Sequence, residues 1–293
     1  MLLRHVRYLL AVAEHRNFTR AAEALHVSQP TLSQQIKQLE DSLGAPLLDR
    51  SGRTVRLTDA GEEYVRYARL ALQDLQAAKR AMHDVQDLTR GSLRLAMTPT
   101  FTAYLIGPLL SRFNSLYPGL NLSVEEMTQD HIEAALAEDR LDIGIAFTGR
   151  HLADIDSQPL FAESLSLVVS ETHPSLTGQL VLDAQALAEQ SLVLLSGDFA
   201  TRQHIDLYCR QQAIAPRIAI EANSISAIVE IVRRGALATI LPQAIAHELP
   251  GLRPLALHPA LPPRTVALLS RKGAYRSAAC RAFVELVVKE ANV

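Results

Sequence analysis

The sequence has few cysteines and few aromatic residues. It contains no tryptophan among 293 residues, and aromatic residues make up only 5% of the chain, so aliphatic side chains and alanine must dominate the core. Its two cysteines, Cys209 and Cys280, lie far apart. Without a close spacing they predict buried free thiols rather than a metal site or a redox pair.

Long apolar runs are also missing. No stretch approaches the about 18 apolar residues that cross a bilayer. Charged residues interrupt the first ten positions, which carry no signal-peptide cleavage pattern. We therefore expect a cytoplasmic protein with no membrane partner.

The patterns on which most enzymes depend are absent from the sequence as well. It has no paired carboxylates at a useful spacing, no glycine-rich phosphate loop and no cluster of cysteine and histidine with metal-ligand spacing. Its histidines are scattered, which is typical of surface or core positions. We expect no enzyme activity, no catalytic residue, no metal and no cofactor.

The charge is unevenly distributed along the chain. Residues 1–58 hold eight Lys and Arg against five Asp and Glu, a net charge of +3, whereas the remaining 21 basic and 26 acidic residues leave −5. A basic segment on an acidic body favours one domain that binds double-stranded DNA and one that stays away from it.

Residues 18–43 predict two short helices joined by a tight turn. Ser28 is a good N-cap for the second helix, and Pro30 suits its first turn. Gly44 is placed to end that helix. Its apolar residues lie on one face, at Leu32, Ile36, Leu39 and Leu43.

The other face of this second helix carries short or amide-bearing side chains near its N-terminal end. Such side chains exchange hydrogen bonds with base edges in the major groove, and lysine binds phosphate or guanine. The alternative is an ordinary helix pair with a solvated polar face. The candidate DNA-binding residues of this helix are Gln29, Pro30, Thr31, Ser33, Gln34 and Lys37, and we add Thr19 and Arg20 from the first helix.

Residues 46–58 predict a small hairpin with its turn at 51–52. It carries Arg50, Arg53 and Arg56, and arginines beside a helix-turn-helix suit phosphate or a narrow minor groove. We include Arg50 and Arg53 among the DNA-binding candidates. The alternative is a solvated basic turn.

A long helix is predicted from Thr58 to about Leu88. Apolar residues recur along it at alternating spacings of four and three, which is typical of a coiled coil and favours a dimer. Two paired reading helices then predict a roughly palindromic site. The alternative is a stripe that packs on its own domain. The stripe comprises Tyr64, Ala68, Ala71, Leu75, Ala78, Met82 and Val85.

From residue 91 the pattern alternates between strand and helix, which predicts an α/β body with mostly parallel sheets, long enough for two subdomains. The expected strands are 93–97, 120–124, 141–147, 165–169, 192–195, 218–222, 236–241 and 266–269. The expected helices are 105–116, 131–138, 202–212, 226–234 and one from Ala274 onward.

Hydroxyl and amide side chains follow several of these strands. Open α/β sheets bind ligands at the carboxyl ends of their strands, where free N–H groups favour a small anion. Taken one at a time, these residues are more simply explained as helix N-caps, so the prediction depends on their meeting in one cleft. The candidates are Thr98, Pro99, Thr100, Phe101, Ser196, Thr201 and Asn223.

The N-terminal residues resemble those of the LysR-type transcriptional regulators, and the resemblance extends over the full chain. The segments that carry it are 18–22, 27–33, 39–40, 43–44, 49–50, 57–58 and 60–61. It implies an N-terminal all-α winged helix-turn-helix and a periplasmic-binding-protein-like effector domain of two α/β subdomains. It also implies a regulator that acts as a homotetramer of two dimers and contacts RNA polymerase.

The implied divisions are a DNA-binding domain at 1–58, a linker helix that forms the dimer coiled coil at 59–90, and an effector-binding domain at 91–293. Within the last, one subdomain covers about 91–162 and 268–293, and the other about 163–267. The resemblance also adds Gln129 and Phe147 to the candidate residues of the effector cleft.

Segments 88–94, 98–102 and 221–227 are similar to those of family members that activate cyanate operons. This implies a transcriptional activator whose small anionic effector is cyanate. The alternative is a LysR-type regulator of another catabolic operon that senses a different small organic acid. Arg202 is the single basic residue in the candidate segments, so dipoles or an unidentified residue must balance the charge of an anion.

Overall fold

The computed structural model describes residues 3–52, 54–83, 88 and 90–291, with the side chains of 79–83 left out. The chain forms two compact units, residues 1–79 and residues 80–293. Within the described ranges no helix combines the length and the apolar character needed to cross a membrane.

The first unit begins with three helices, α1 (Leu3–His15), α2 (Phe18–Ala24) and α3 (Gln29–Leu43). The predicted ends of α3 are confirmed. Ser28 accepts a hydrogen bond from the Thr31 N–H, and Gly44 ends the helix in the left-handed region at φ 70°. Apolar side chains from all three helices form one core, including Leu9, Val12, Ala21, Leu32, Ile36 and Leu39.

A two-stranded hairpin follows the helices. Its strands β1 (Leu48–Asp49) and β2 (Arg56–Leu57) are antiparallel, as the sequence predicts, and β1 starts beside the C-terminal end of α3. We call residues 46–58 the wing. Arg53, at the predicted turn, lies outside the described residues.

The long helix α4 (Asp59–His83) comes next. The Thr58 hydroxyl accepts from the Gly61 N–H at 3.0 Å and so provides the predicted N-terminal cap. The sequence predicts that this helix continues to about Leu88, but residues 84–87, including Val85, lie outside the described ranges. Along the predicted stripe Ala68 is 7% exposed, but Leu75 is 51% exposed.

The second unit alternates strands and helices. Its strands are β3 (Gly91–Met97), β4 (Leu120–Glu126), β5 (Ile143–Phe147), β6 (Ile155–Glu163), β7 (Leu165–Ser170), β8 (Val181–Asp183), β9 (Ser191–Leu195), β10 (Arg217–Ala222), β11 (Thr239–Pro242), β12 (Leu252–His258) and β13 (Arg264–Arg271). Its helices are α5 (Pro99–Thr102), α6 (Ile106–Leu116), α7 (Gln129–Ala137), α8 (Ala184–Leu187), α9 (Ala200–Gln211), α10 (Ile225–Arg234), α11 (Gln243–Glu248) and α12 (Ala278–Ala291).

The strands of the second unit form two main sheets. The first sheet has the order β4-β3-β5-β13-β6, and the second has the order β11-β7-β12-β8. The pair β10-β9 joins the second sheet through a bridge between Leu192 and Ala238. Each sheet has its own apolar clusters, which accounts for two α/β subdomains.

The prediction of mostly parallel sheets is wrong. Strand β13 runs antiparallel to β5 and β6, and β7 runs antiparallel to β11 and β12. The sequence pattern also does not predict β6, β8 and β12. Strand β8 has only three residues, and β6 and β12 each contain a proline, Pro159 and Pro254 respectively, which lowers the expectation of a strand because proline donates no hydrogen bond to the sheet. The last helix begins at Ala278 rather than at Ala274.

Candidate functional site

The N-terminal half of α3 presents an exposed polar face, because Leu32, Ile36 and Leu39 turn the opposite face into the core. Ser28 and Thr31 also share a hydrogen bond between their hydroxyls at 2.7 Å, which fixes the first turn. Of the residues predicted to bind DNA, Ser33 is half-buried, Arg53 lies outside the described residues, and the exposed ones are Thr19, Arg20, Gln29, Pro30, Thr31, Gln34, Lys37 and Arg50.

The two neighbouring glutamines of α3 have different surroundings. Gln35 lies 3.0 Å from His5 Nε2 and ties α3 to α1, and its amide nitrogen donates to Gln38. Gln34 is exposed, on the outer face. Thr19 and Arg20 lie at the start of α2, where Asn17 accepts hydrogen bonds from both of their backbone N–H groups. This region therefore offers amides, hydroxyls and cations on one side of two short helices.

In the second unit a buried cluster surrounds Arg264, a residue that the sequence does not single out. Arg264 Nε donates to Glu163 Oε2 at 2.6 Å, and Nη1 donates to the Thr201 hydroxyl at 2.9 Å. Its guanidinium lies 3.7 Å from the centre of the Phe147 ring. Tyr104 completes the group, since its hydroxyl donates to Glu163 Oε1 at 2.5 Å. We call Tyr104, Phe147, Glu163, Thr201 and Arg264 the inner cluster.

Burial determines the electrostatics of the inner cluster. It lowers the pKa of the Arg264 guanidinium, while the charge of Glu163 and its hydrogen bond act in the opposite direction. Burial also raises the pKa of Tyr104, and the neighbouring Glu163 carboxylate raises it further. The cluster therefore holds one cation and one anion with little water around them.

Gln129 braces the Phe147 backbone. Its Nε2 donates to the Phe147 carbonyl at 3.2 Å, and its Oε1 accepts from the Phe147 N–H at 3.3 Å. The same amide nitrogen donates to Glu133, which also lies 2.7 Å from His151 Nδ1. Gln129 thus connects the predicted residue Phe147 to a second buried pair.

Other predicted residues lie around a more open cavity of about 390 Å³, which we call the outer cavity. Pro99 follows β3, and Met127 and Thr128 follow β4, whereas Phe199 and Asn223 follow strands of the second sheet. The carboxyl ends of four strands from both subdomains therefore meet here, which is where open α/β folds bind ligands.

The remaining predicted residues do not line the outer cavity. Phe101 lies 5.1 Å from Phe147, measured between ring centres. The Thr98 and Thr100 hydroxyls are buried and have no hydrogen-bond partner among the described residues. Ser196 turns to the neighbouring strand, because its N–H and hydroxyl both donate to the Ala222 carbonyl.

Arg202, the basic residue within the candidate segments, is already engaged by neighbouring groups. Arg202 donates to Asp206 at 2.9 Å, to the Leu195 carbonyl at 3.0 Å and to Glu221 at 2.9 Å. Its charge is therefore balanced within its own surroundings. Arg264 is a second buried cation beside the predicted residues, and its charge is balanced in the same way. It pairs with Glu163 across 101 positions of sequence, and no local spacing could have revealed that contact.

Cys209 and Cys280 are free and buried, as predicted. Burial raises the pKa of both thiols, that of Cys280 to about 11. Among the described residues no group of three or more His, Cys, Asp or Glu side chains could hold a metal ion.

Two family models match the chain. The model of the bacterial regulatory helix-turn-helix proteins of the lysR family matches residues 3–62, and that of the LysR substrate binding domain matches residues 86–292. A hydrogen peroxide-inducible genes activator from Pectobacterium carotovorum subsp. carotovorum is 32% identical over 276 residues, which cover 93% of this chain and 91% of the relative. A RuBisCO operon transcriptional regulator from Allochromatium vinosum is 30% identical over 292 residues, covering 99% and 96%.

Solved structures agree with these matches. A full-length OxyR variant from Pseudomonas aeruginosa has a TM-score of 0.68 and 28% identity, with 100% of this chain and 95% of that chain covered. Full-length CbnR in complex with its target DNA has a TM-score of 0.59 and 26% identity, with 99% and 100% covered.

Proposed function

Because the chain belongs to the LysR family of DNA-binding transcriptional regulators, we propose that it is an activator that responds to a small anion. Its relatives are transcriptional regulators, and nothing points to catalytic activity. In this proposal residues 1–58 read DNA, residues 59–90 pair two copies, and residues 91–293 bind the effector.

The position of Arg264 is the observation that carries the effector proposal. This cation is 9% exposed and touches two residues that were expected to line the cleft, Phe147 and Thr201. A cation in a site with little water attracts an anion much more strongly than a surface cation does, and in this proposal the effector shares Arg264 with the Glu163 carboxylate that already pairs with it. The outer cavity supplies room for a small ligand. The buried Thr98 and Thr100 hydroxyls, unpartnered within the described part of the chain, flank Pro99, which lines that cavity.

Cyanate is our first candidate, on the resemblance of three segments to cyanate-responsive regulators. The relatives named above are regulators of peroxide-inducible genes and of a RuBisCO operon, so they do not support cyanate in particular. A peroxide response would need a reactive thiolate, and both thiols of this chain are buried with raised pKa values. This disfavours peroxide and leaves a small anion or another small organic acid.

Calorimetric titration of the full chain with cyanate, azide, bicarbonate and benzoate tests the effector class. We expect binding of cyanate, with benzoate weak because a bulkier acid needs a roomier site. The matched pair of variants is Thr201→Val, which removes the hydroxyl of α9 that Arg264 contacts, and Thr177→Val, which removes a loop hydroxyl that donates to the His173 carbonyl instead. Binding of benzoate alone would favour the organic-acid alternative, and absence of any binding would contradict the proposal.

A separate experiment tests whether α3 contacts bases in the major groove. We propose that Gln34 contacts a base edge, so Gln34→Ala should weaken binding to a selected operator by about 1–3 kcal/mol while leaving non-specific binding nearly intact. Gln38→Ala is the control, because Gln38 lies further from the N-terminal end of α3 and already accepts from Gln35. Equal effects of the two changes would contradict the role of Gln34.

We further propose a mechanism for the activator. Effector binding closes the cleft, shifts a homotetramer of two dimers between two arrangements, and relaxes a bend in the DNA so that RNA polymerase can be contacted. The effector can shift this balance only by binding one arrangement more tightly than the other. The DNA bend angle, measured with and without cyanate, should therefore decrease on binding, and an unchanged angle would overturn this mechanism.

A further inference from the structure

A carboxylate at the end of the reading helix holds the base of the wing. Glu40, in the last turns of α3, accepts hydrogen bonds through Oε1 from the backbone N–H groups of Leu47 at 2.8 Å and Leu48 at 3.0 Å. Its other oxygen, Oε2, accepts from Arg50 Nη2 at 3.0 Å. One side chain of α3 therefore binds three donors at the start of the wing.

Arg50 completes this arrangement from the wing side. Its guanidinium carbon lies 5.0 Å from the centre of the Phe18 ring at the start of α2, in addition to its ion pair with Glu40. The cation is thus bound on two sides by parts of the helix-turn-helix. We call Phe18, Glu40 and Arg50, with the two N–H groups, the wing clasp.

We infer that Glu40 and Arg50 are positioning residues that set the angle of the wing to α3, and that Arg50 acts through this clasp rather than as a phosphate ligand. The inference rests on the proposed DNA-reading role of α3 and the wing. It differs from the phosphate-binding role that the sequence predicts for Arg50.

The burial and hydrogen bonds of Glu40 suit it to hold the wing in place. Its side chain is 14% exposed, and hydrogen bonds to an ionised carboxylate are about twice as strong as neutral ones. Leu47 and Leu48 are 2% and 5% exposed, so the N–H groups that Glu40 accepts from belong to the buried root of the wing. Glu40 therefore holds two backbone N–H groups of the buried root in a rigid joint, and its ion pair with Arg50 extends to the surface, where Arg50 is 39% exposed.

Other contacts of the wing are made by the backbone and by apolar side chains. The Val55 N–H donates to the Arg16 carbonyl at 3.2 Å, and Leu47 and Leu48 pack in the same core as Leu32, Ile36 and Leu39 of α3. Glu40 adds directional hydrogen bonds to this apolar contact between the wing and α3, the helix proposed to enter the major groove. Because the wing is proposed to meet the backbone or the minor groove nearby, its angle sets which base pairs the two elements can contact together.

Whether Glu40→Gln strengthens or weakens DNA binding distinguishes the two roles of Arg50. If Arg50 is a phosphate ligand that Glu40 restrains, then Glu40→Gln removes a negative charge near DNA, frees the arginine and tightens binding. If Glu40 positions the wing, the same change loosens the wing and weakens binding, although it makes the protein more positive. The two models predict opposite results.

The experiment uses the full chain and a DNA duplex selected by the wild-type protein from a random pool. Hydroxyl-radical and base-methylation protection are recorded at saturating protein, together with the dissociation constant. We expect Glu40→Gln to weaken specific binding about 10-fold, which is about 1.4 kcal/mol, and to lose protection of the backbone at the wing while bases facing α3 stay protected. Glu23→Gln removes the same charge from an exposed position on α2 and should leave the protection pattern unchanged.

Variants of Arg50 provide the second line of evidence. Arg50→Lys keeps the ion pair with Glu40 and should retain most wing protection, whereas Arg50→Met should resemble Glu40→Gln. The double variant should be no weaker than the stronger single one, because both changes break one clasp. Thermal melting of each variant shows that it is folded at the assay temperature.

Tighter binding by Glu40→Gln, or additive losses in the double variant, would overturn the clasp. A wild-type footprint without protected bases in the major groove would instead contradict the proposed reading role of α3. The two failures are therefore distinguishable in the same set of experiments.

Discussion

The Arg264 guanidinium lies 3.7 Å from the centre of the Phe147 ring. Phe147 ends a buried strand and belongs to the predicted cleft, whereas Arg264 begins a strand 117 positions later and is absent from that prediction. Their contact brings a buried cation to the place where an anionic effector is proposed to bind. It also makes the stability of the second unit depend on how that cation is balanced.

Loss of the Arg264 charge should strongly destabilise the second unit. Arg264→Leu leaves the Glu163 carboxylate, 5% exposed, without its cation, and breaking a buried ion pair on one side costs about 3–5 kcal/mol. Urea unfolding followed by tyrosine fluorescence measures the loss. The matched control is Arg112→Leu, because the pair of Arg112 with Glu290 is 53% and 30% exposed and should contribute less than about 1 kcal/mol.

A double variant, Arg264→Leu with Glu163→Leu, separates the buried charge from simple loss of packing. Because it leaves no unpaired charge, it should recover most of the stability lost in Arg264→Leu. A double variant as unstable as the single one would show that packing of the arginine, and not charge balance, dominates.

Gly61 should not tolerate a side chain. A Cβ atom added there would lie 2.0 Å from the Leu47 carbonyl oxygen and 2.9 Å from the carbonyl carbon, so the backbone of the wing or of α4 must move. Gly61→Ala should therefore destabilise the first unit by about 1–3 kcal/mol, measured by thermal unfolding. In Gly107→Ala the new Cβ meets no described atom within 4 Å, and the same change in α6 should be neutral or stabilising by up to about 1 kcal/mol. Equal effects of the two changes would contradict the steric explanation.

Leu75 should contribute to pairing of two copies through α4. It is 51% exposed on the predicted coiled-coil stripe, where a partner helix would cover it. Leu75→Arg should shift the protein towards monomer in sedimentation velocity at micromolar concentration. Gln76→Arg places the same charge on a neighbouring exposed position and should leave the association state unchanged. Loss of association in both variants would argue for a general charge effect.

Neither thiol should react rapidly in the native protein. Burial raises the pKa of Cys280 to about 11, so about one thiol in a thousand is ionised at pH 8, and burial raises the pKa of Cys209 as well. Because the thiolate is the reactive form, Ellman's reagent should modify both cysteines slowly at pH 8 and quickly in guanidinium chloride. One fast-reacting thiol in the native protein would contradict this prediction and would favour a peroxide response.

The sequence was most informative about the first unit. Ser28, Pro30 and Gly44 mark the ends of α3, and three of its four predicted apolar residues form its buried face, whereas Leu43 is 40% exposed. These signals act between neighbours one helical turn apart, so they can be read without knowledge of the fold. The same reading does not show that Arg50 is bound by Glu40 and Phe18, because which donors reach Glu40 depends on how the chain turns after Gly44.

In the second unit the sequence determined the alternation of strands and helices, and from it the α/β class. It did not determine strand direction, since the sheets proved to be mixed, nor which polar residues would meet. Strand direction and the pairing of Glu163 with Arg264 depend on contacts between residues far apart in sequence. Only the packed structure decides such contacts, because the partner of a buried charge is whichever group the fold brings within hydrogen-bond distance.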